Sequence, residues 1–324
     1  MTSDRTSPMS ARPGERVAVV AHERKLDAGT AAELRQALAD EGFDVSWMSI
    51  AKGSAATRAT QRALRHGAQH VVVAGGDGTV RAAVHALAGT GVPLAVVPAG
   101  TANLFAGALG VPSEPASIAA AMRVGCTRSL DTARCNGMAF AVMAGTGLDA
   151  AMIDLADEAK ERLGTLAYVR AGVREARRRA PFGASVKVDG ELLFEGSATC
   201  VLVGNIGTLK GGVDAFPAAE PDDGMLDVAV VTAEGLREWG SLMLGAVRHD
   251  PARSGHVHLT RGTRIKVKLD RRHRFELDGG TKGRTDRLRM RIVPDSLRVV
   301  VEPGTIVAPE TAQAAVPPCP SGSI

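Results

Sequence analysis

The segment QHVVVAGGDGT, residues Gln69–Thr79, carries the strongest structural signal in the chain. Its first six residues are mostly β-branched or apolar, which is typical of a strand buried on both faces. Three glycines follow within four positions, and Thr79–Ala88 then has the apolar spacing of a helix. A strand, a glycine-rich turn and a helix in this order predict an α/β domain with a parallel sheet.

The same alternation continues on both sides of this segment. Further predicted strands are Arg16–Ala21, Phe43–Ser49 and Pro93–Val97, and further predicted helices are Thr30–Glu41, Ala55–His66 and Thr101–Leu109. Helical crossovers between parallel strands cover both faces of a sheet. We therefore expect a three-layer α/β domain over residues 15–130.

After about Leu130 the pattern changes to Val-rich segments divided by turns such as Asp189-Gly190 and Asp223-Gly224. Predicted strands are Phe182–Val188, Thr199–Asn205, Leu226–Val231, Arg264–Leu269, Arg274–Leu277 and Leu288–Val293, and predicted helices are Ala151–Glu161 and Leu163–Arg179. This pattern predicts a mostly antiparallel β-sandwich over residues 131–303. Residues 1–14 and 304–324 are expected to be largely disordered tails.

The composition narrows the class of protein. Of 324 residues, 45% are hydrophobic and 23% charged, which is typical of a globular protein. Aromatic residues make up only 3%, which argues against a protein that stacks nucleic-acid bases. The four cysteines form no CxxC pair, as expected of a reduced cytoplasmic protein without structural zinc. Neither a signal peptide nor a transmembrane helix is predicted.

The turn Gly75–Thr79 has the chemistry of an anion site. Its glycines let main-chain N–H groups converge on a phosphate, and the helix start behind them adds a favourable dipole. Asp77 cannot attract a phosphate, so we expect it to bind a metal or water, or to hold the loop. A plain strand-to-helix turn capped by Asp77 and Thr79 is the alternative.

A second loop, PAGTANLFA (Pro98–Ala106), also follows a strand and begins a helix. Gly100 permits close approach of the backbone, and Thr101 and Asn103 offer a hydroxyl and an amide to nucleotide phosphates. Ligands bind at the carboxyl ends of parallel strands, so both loops are expected at one site. There is no GxxxxGK[ST] loop, and the GxGxxA match at Gly145–Ala150 lacks the acidic residue and βαβ unit of a dinucleotide site.

Taken in order, these motifs resemble the diacylglycerol kinase catalytic family, including its bacterial lipid kinase branch. The matching blocks are Gly75–Thr79, Pro98–Ala106, Leu130-Asp131, Phe140–Ala150, Leu202–Gly212, Glu220–Asp227 and Glu276–Gly280. The GGDGT block alone is shared with NAD kinases and sphingosine kinases. The resemblance therefore depends on the ordered set, which extends over about residues 16–303.

The resemblance implies ATP and Mg²⁺ as cofactors and a lipid alcohol such as diacylglycerol as substrate. It places Gly75, Gly76, Asp77, Gly78, Thr79, Gly100, Thr101, Asn103 and Ser49 near the nucleotide. It also implies a metal site made by the Asp223 carboxylate with the carbonyls of Glu220 and Met225, oxygen ligands that suit Mg²⁺. Asp131 aligns with an acidic residue that tethers water.

The chain departs from the family pattern at several positions. Leu104 and Gly107 stand where the family often has Asp and Arg, and the first strand ends AHERK in place of NPxSG. Gly280 stands where a Glu is commonly assigned as the base. The resemblance then leaves Asp278 as the expected catalytic base, ahead of Glu276, although a DGG turn is also an ordinary β-turn.

Three functions remain open: a lipid kinase, an NAD-kinase-like enzyme with a soluble substrate, and a nucleotide- or lipid-binding pseudokinase. With 39 Lys and Arg against 35 Asp and Glu, the net charge is +4, concentrated in Arg170–Arg179 and Arg261–Arg291. Arg174, Arg177 and Arg178 lie on one face of a predicted helix. That face would contact either an anionic membrane or solvent. We expect a cytoplasmic, peripherally membrane-associated enzyme that binds no nucleic acid, and a homodimer is left open.

Overall fold

A computed structural model describes residues 6–8, 12–101, 103–124, 126–147, 181–209, 213–214, 216, 218–235, 237–239, 241–242 and 254–302. The helices predicted over 151–161 and 163–179, and with them the arginine face at 174–178, lie outside the described residues.

The first domain is built on four parallel strands in the spatial order β5-β4-β2-β3. Their bounds are β2 (Arg16–His22), β3 (Asp44–Ile50), β4 (His70–Gly75) and β5 (Leu94–Pro98). Every residue of β4 is buried, as its apolar sequence predicted. The strands match the predicted segments to within one or two residues at each end.

Five helices connect or follow these strands. They are α1 (Ala28–Asp40), α2 (Ala56–Arg65), α3 (Asp77–Leu87), α4 (Leu104–Leu109) and α5 (Pro115–Val124). The Asp27 carboxylate caps α1 by accepting a hydrogen bond from the Thr30 main-chain N–H at 2.9 Å. Helix α3 begins at Asp77, inside the glycine loop, and α5 had not been predicted. Apolar clusters on both faces of the sheet confirm the three-layer arrangement.

The second domain is a mostly antiparallel β-sandwich, as predicted. Its principal strands are β6 (Cys126–Cys135), β7 (Met138–Phe140), β8 (Met143–Thr146), β9 (Phe182–Val188), β10 (Glu191–Ala198), β11 (Cys200–Gly204), β14 (Leu226–Val231), β15 (Val257–Gly262), β16 (Arg264–Leu277) and β17 (Gly280–Val301). Short pairings add β1 (Thr6–Pro8), β12 (Thr208–Leu209) and β13 (Val213–Asp214). Strand β1, in the segment predicted to be a tail, pairs with β6.

Strand β16 belongs to both layers of the β-sandwich. Near its start it pairs with β9, and near its end it pairs with β8. The β9–β10 hairpin then lies over β14 and β15, where the rings of Phe194 and His258 are 5.1 Å apart. An apolar cluster fills the space between the layers. The two strands predicted over 264–277 are one strand with a register shift between Lys268 and His273.

Strand β17 joins the two domains. It pairs antiparallel with β6 and, through Val299 and Leu94, parallel with β5 of the first sheet. Leu130, near which we placed the domain boundary, lies inside β6. The β16–β17 hairpin closes in the turn Asp278–Gly279, which is thereby held beside the first domain. Within the described ranges, no helix has the length and apolarity needed to span a membrane.

Candidate active site

The two predicted loops adjoin at the carboxyl edge of the first sheet. Gly75 and Pro98 are paired residues of β4 and β5, so both loops leave the sheet at one level. A Cβ built on Gly76 would lie 3.0 Å from Gly100 Cα, which shows how closely the two backbones approach. Glycine at both positions is therefore required by packing, and the loops form one continuous surface.

Asp77 links the first loop to the second. Its carboxylate accepts a hydrogen bond from the Phe105 main-chain N–H, 3.3 Å away, at the start of α4. Burial raises the pKa of the Asp77 carboxyl, while main-chain N–H groups at this helix start partly offset that effect. Of the roles expected for Asp77, holding the loop is the one for which the structure supplies contacts.

Thr79 and Asn103 also face inward. Thr79 is 2% exposed, and its hydroxyl would lie 2.8 Å from a Cβ on Gly75 and 3.0 Å from one on Gly53. Asn103, at φ 48°, accepts from the Gly100 N–H and donates to the Gly100 carbonyl, both at 2.8 Å. Both side chains therefore shape the loops, whereas Gly78 and Thr101 are exposed at their surface.

Ser49 lies at the same edge of the sheet. It is exposed on the edge strand β3 and pairs with Ala21 of β2, which in turn pairs with Ala74 of β4. Neighbouring strands are about 4.8 Å apart, so Ser49 lies about 10 Å from the residue that precedes the glycine loop. The position is level with the loops, without contact to them.

Lys25 belongs to this site, although no motif pointed to it. A Cβ on Gly76 would lie 2.7 Å from the Lys25 ammonium nitrogen, so this charge rests on the glycine loop. The segment after β2 folds back through hydrogen bonds from the Lys25 and Leu26 N–H groups to the His22 carbonyl. The only sequence signal was a lysine shortly after a strand end.

Asp278 lies in the β16–β17 turn, at φ 45° and 3% exposed. Its Oδ1 accepts hydrogen bonds from the N–H groups of Val142 (2.8 Å) and Met143 (3.0 Å), and its Oδ2 accepts one from Ala141 (3.1 Å). Burial raises the pKa of the Asp278 carboxyl, against the lowering effects of these donors and of nearby Arg81.

Two cations and a second carboxylate surround this turn. Arg81 of α3 and Lys282 of β17 both interact electrostatically with Asp278, and Lys282 also interacts with Glu276. Burial lowers the pKa of both cations. The Arg81 Nε is buried with no hydrogen-bond partner among the described residues. Two cations and two carboxylates therefore lie together at the Asp278 turn.

The two domains meet at these residues. A Cβ on Gly279 would lie 3.9 Å from Leu104, the first residue of α4. Gly76 immediately precedes α3, and Arg81 lies on that helix. Helix α3 therefore connects the glycine loop to Asp278. The structure thus brings together both loops, Lys25 and the Asp278 turn.

The predicted metal ligands lie in a different setting. Asp223 forms an ion pair with Arg261, which also contacts Asp227 at 3.3 Å. The second carboxylate oxygen of Asp223 accepts a hydrogen bond from the Met225 N–H at 2.9 Å. Glu220 is exposed. No cluster of three or more His, Cys, Asp or Glu suited to a metal occurs among the described residues. In the structure the Asp223 carboxylate is therefore paired with a guanidinium, and the metal site expected at Asp223, Glu220 and Met225 stays a prediction.

Asp131 has a structural role here. It is 1% exposed, and its carboxylate accepts hydrogen bonds from the N–H groups of Gly224 (2.7 Å) and Asp295 (2.8 Å). It thereby fastens the turn before β14 to β17. The water expected at Asp131 is not required to explain these contacts.

Two family profiles match the chain in succession. Residues 20–135 match the diacylglycerol kinase catalytic domain, and residues 142–301 match the YegS C-terminal NAD kinase beta sandwich-like domain. The chain is 31% identical to a diacylglycerol kinase of Bacillus subtilis (strain 168) over 256 residues, 76% of this chain and 83% of the relative. It is 31% identical to a probable lipid kinase YegS-like of Pseudomonas syringae pv. tomato over 251 residues, 74% of this chain and 81% of the relative.

Another relative, the uncharacterized protein sll0036 of Synechocystis, is 32% identical over 249 residues, 75% of this chain, but the chain spans only 57% of its length. Among solved structures, a diacylglycerol kinase from Bacillus anthracis str. Sterne superposes with a TM-score of 0.70 at 21% identity, covering 91% of this chain and 99% of that one. That likeness supports the fold, while the sequence matches support the family. The chain therefore belongs to the diacylglycerol kinase catalytic-domain family.

Proposed function

We propose that the protein transfers the γ-phosphoryl group of ATP to the hydroxyl of diacylglycerol or a related membrane lipid. The observation that carries this proposal is the contact between two glycine loops at adjoining strand ends, with the Lys25 ammonium beside Gly76 of the first loop. Phosphoryl transfer depends mainly on positioning and charge neutralisation, which this arrangement supplies.

In this proposal the glycine loops bind the triphosphate of magnesium-bound ATP, the metal being part of the substrate. Main-chain N–H groups at Gly76, Gly78 and the start of α3 would donate to phosphate oxygens, aided by the helix dipole. Lys25 adds a point charge, worth about 1.5–3 kcal/mol as a hydrogen bond to a charged group. Asp77 links the first loop to the second, and Asn103 holds the second loop together.

Asp278 is proposed as the group that accepts the proton of the lipid hydroxyl. A carboxylate offers about four lone-pair sites. Three main-chain donors occupy sites on Asp278, and Oδ2 carries only one of them. Burial raises the pKa of Asp278, which makes its carboxylate a stronger base. Arg81 and Lys282 would offset the charge that develops beside it.

The test is a kinase assay with labelled ATP and a panel of lipids in neutral detergent micelles, with NAD as a soluble acceptor. We expect transfer to diacylglycerol or to a related lipid alcohol, identified by the mass of the product. Transfer to NAD alone would establish an NAD-kinase-like enzyme. Binding of ATP without transfer to any acceptor would establish a pseudokinase, and either result would overturn the proposal.

A membrane lipid as substrate also requires the protein to reach a bilayer surface. We propose a peripheral, cytoplasmic association with anionic membranes. The cations of the second domain support this proposal, because anionic bilayers attract Lys and Arg near their surface. The arginine face predicted at 174–178 lies outside the described residues, so the support comes from the strands.

A further inference from the structure

The solvent side of the second domain's sheet bears an array of cations, which we name the cationic face. It consists of Arg134 on β6, Lys187 on β9, Arg264, Lys266 and Lys268 on β16, and Arg287, Arg289 and Arg291 on β17. The intervening residues of these strands are buried in the sandwich core. Because side chains alternate along a strand, these cations all point away from that core.

Strand register places these cations directly opposite one another. Arg264 faces Arg291, Lys266 faces Arg289, and Lys268 faces Arg287 across β16 and β17. The rows continue outward, since Arg134 pairs with Arg291 and Lys187 pairs with Lys266. Like charges directly opposite in a sheet are destabilising. The arrangement therefore has a stability cost that the fold alone does not explain.

Acidic residues compensate little of this charge. Asp286 borders the face, and Asp189 lies near Arg264. Asp189, however, accepts three hydrogen bonds from Thr263 and from the Arg264 main chain. Within the described ranges, none of the eight cations of the face forms an ion pair. Among the described residues, the charge of the face is therefore balanced only by solvent, which favours an anionic partner.

The face is concave and lacks aromatic rings. Part of it forms an open depression of about 900 Å³ whose cations are Arg134, Arg264, Lys266, Arg287, Arg289 and Arg291. Adjacent cations are spaced about 4.8 Å across strands and about 6.8 Å along them. No aromatic residue is among those that line it in the described chain. This favours several phosphate groups over stacked nucleic-acid bases.

The cationic face reaches the active-site helix. Arg134 and Arg81 are both close enough to His85 to lower the pKa of that imidazole, after the larger effect of burial. His85 lies one turn after Arg81 on α3, and Arg81 interacts with Asp278. The cationic face and the Asp278 turn are therefore connected through α3, along one side of the molecule.

We propose that the cationic face docks the enzyme on a bilayer of anionic phospholipids, with their headgroup phosphates between the strand-borne cations. This inference rests on the proposed function, because a lipid hydroxyl in a bilayer is the reason for the enzyme to dock there.

The test compares wild type with the triple variant Lys266→Gln, Arg289→Gln, Arg291→Gln. A matched control, Arg58→Gln, Arg62→Gln, Arg65→Gln, removes the same charge from exposed positions on α2. Binding to vesicles of phosphatidylcholine with phosphatidylglycerol, and of phosphatidylcholine alone, is measured by co-sedimentation. We expect the face variant to bind the anionic vesicles about 100-fold more weakly, given three lost contacts with the surface. Its unfolding midpoint should be unchanged or higher, since opposed charges are removed.

Two further measurements separate the possible failures. If the face variant and the control bind anionic vesicles equally, or if wild type prefers DNA or RNA to the vesicles, the docking proposal is overturned. Turnover on dioctanoylglycerol in neutral detergent micelles tests the proposed function by itself. Loss of turnover on vesicles, with turnover on micelles retained, supports docking. Charge-dependent vesicle binding without any lipid phosphorylation would leave the face standing and remove the proposed function.

Discussion

At the scale of single residues, the site depends on the Asp278 carboxylate, which is buried and hydrogen-bonded to the main chain. Asp278 is 3% exposed, and three consecutive main-chain N–H groups of Ala141, Val142 and Met143 surround it. Those donors stabilise the ionised form, while burial opposes it. The same side chain thus fixes the turn that faces the first domain.

Asp278→Asn should abolish lipid phosphorylation and also weaken the fold. The amide can accept through one oxygen only, so its NH₂ group would face a main-chain donor, at a cost of about 1–3 kcal/mol. Urea unfolding and turnover measure the two effects. Glu276→Gln is the matched control, because Glu276 is the neighbouring carboxylate and should be dispensable. Turnover lost in Glu276→Gln and kept in Asp278→Asn would reverse the assignment of the base.

Arg81→Met should move the acid limb of the pH–rate profile upward. Asp278 must be ionised to accept a proton, so activity falls as pH decreases through its raised pKa. The Arg81 guanidinium lowers that pKa, and its removal raises it further. The limb is read from kcat/KM against pH, with the exposed Arg62→Met as control. A limb that stays in place in Arg81→Met contradicts this coupling.

At the scale of elements, the two loops depend on glycine at the points where backbones touch. Gly76 approaches both Gly100 and Lys25, whereas a Cβ on Gly78 would meet nothing within 4 Å. The sequence showed where the glycines lie but not which of them are packed. It also could not show that Asn103 bonds its own loop, because that depends on its left-handed backbone.

Gly76→Ala should therefore destabilise the protein by about 1–3 kcal/mol, as expected when an atom is forced into a packed contact. Gly78→Ala should be neutral, or stabilising by about 0.4–1 kcal/mol through reduced freedom of the unfolded chain. Denaturant titration of both variants checks the contrast. Equal stability of the two variants would mean that the loops do not touch as described.

The turn before β14 gives a second test at this scale. Asp223 and Asp227 share Arg261, so a chelator should leave the unfolding midpoint of wild type unchanged. In Arg261→Met the two carboxylates lose their common cation, and added Mg²⁺ should raise the midpoint. Arg128→Met, which removes the ion pair between Arg128 and Asp222, is the control and should not respond. A wild-type midpoint that drops with chelator contradicts the Arg261 account.

At the scale of the whole molecule, local patterns predicted much of the fold. The first domain followed from apolar runs and loop glycines, and the β-sandwich from alternating Val-rich segments. Strand β6 was not predicted because we placed the domain boundary at Leu130, inside it, and Asp270–His273 interrupts the apolar pattern of β16. Strand register and long-range contacts could not be predicted from local sequence patterns. Lys25 on the glycine loop, Arg261 on Asp223 and the opposed cations of the cationic face all depend on them.

In the proposed function, the paired glycine loops, with Lys25 beside Gly76, bind the triphosphate of ATP. Calorimetric titration of wild type and Lys25→Met with magnesium-bound ATP tests it most directly. The lost charge-assisted hydrogen bond should weaken binding about 10- to 100-fold, with no change in the unfolding midpoint. Arg65→Met, an exposed cation on α2, should bind ATP as wild type does. Equal affinities of wild type and Lys25→Met would contradict the account.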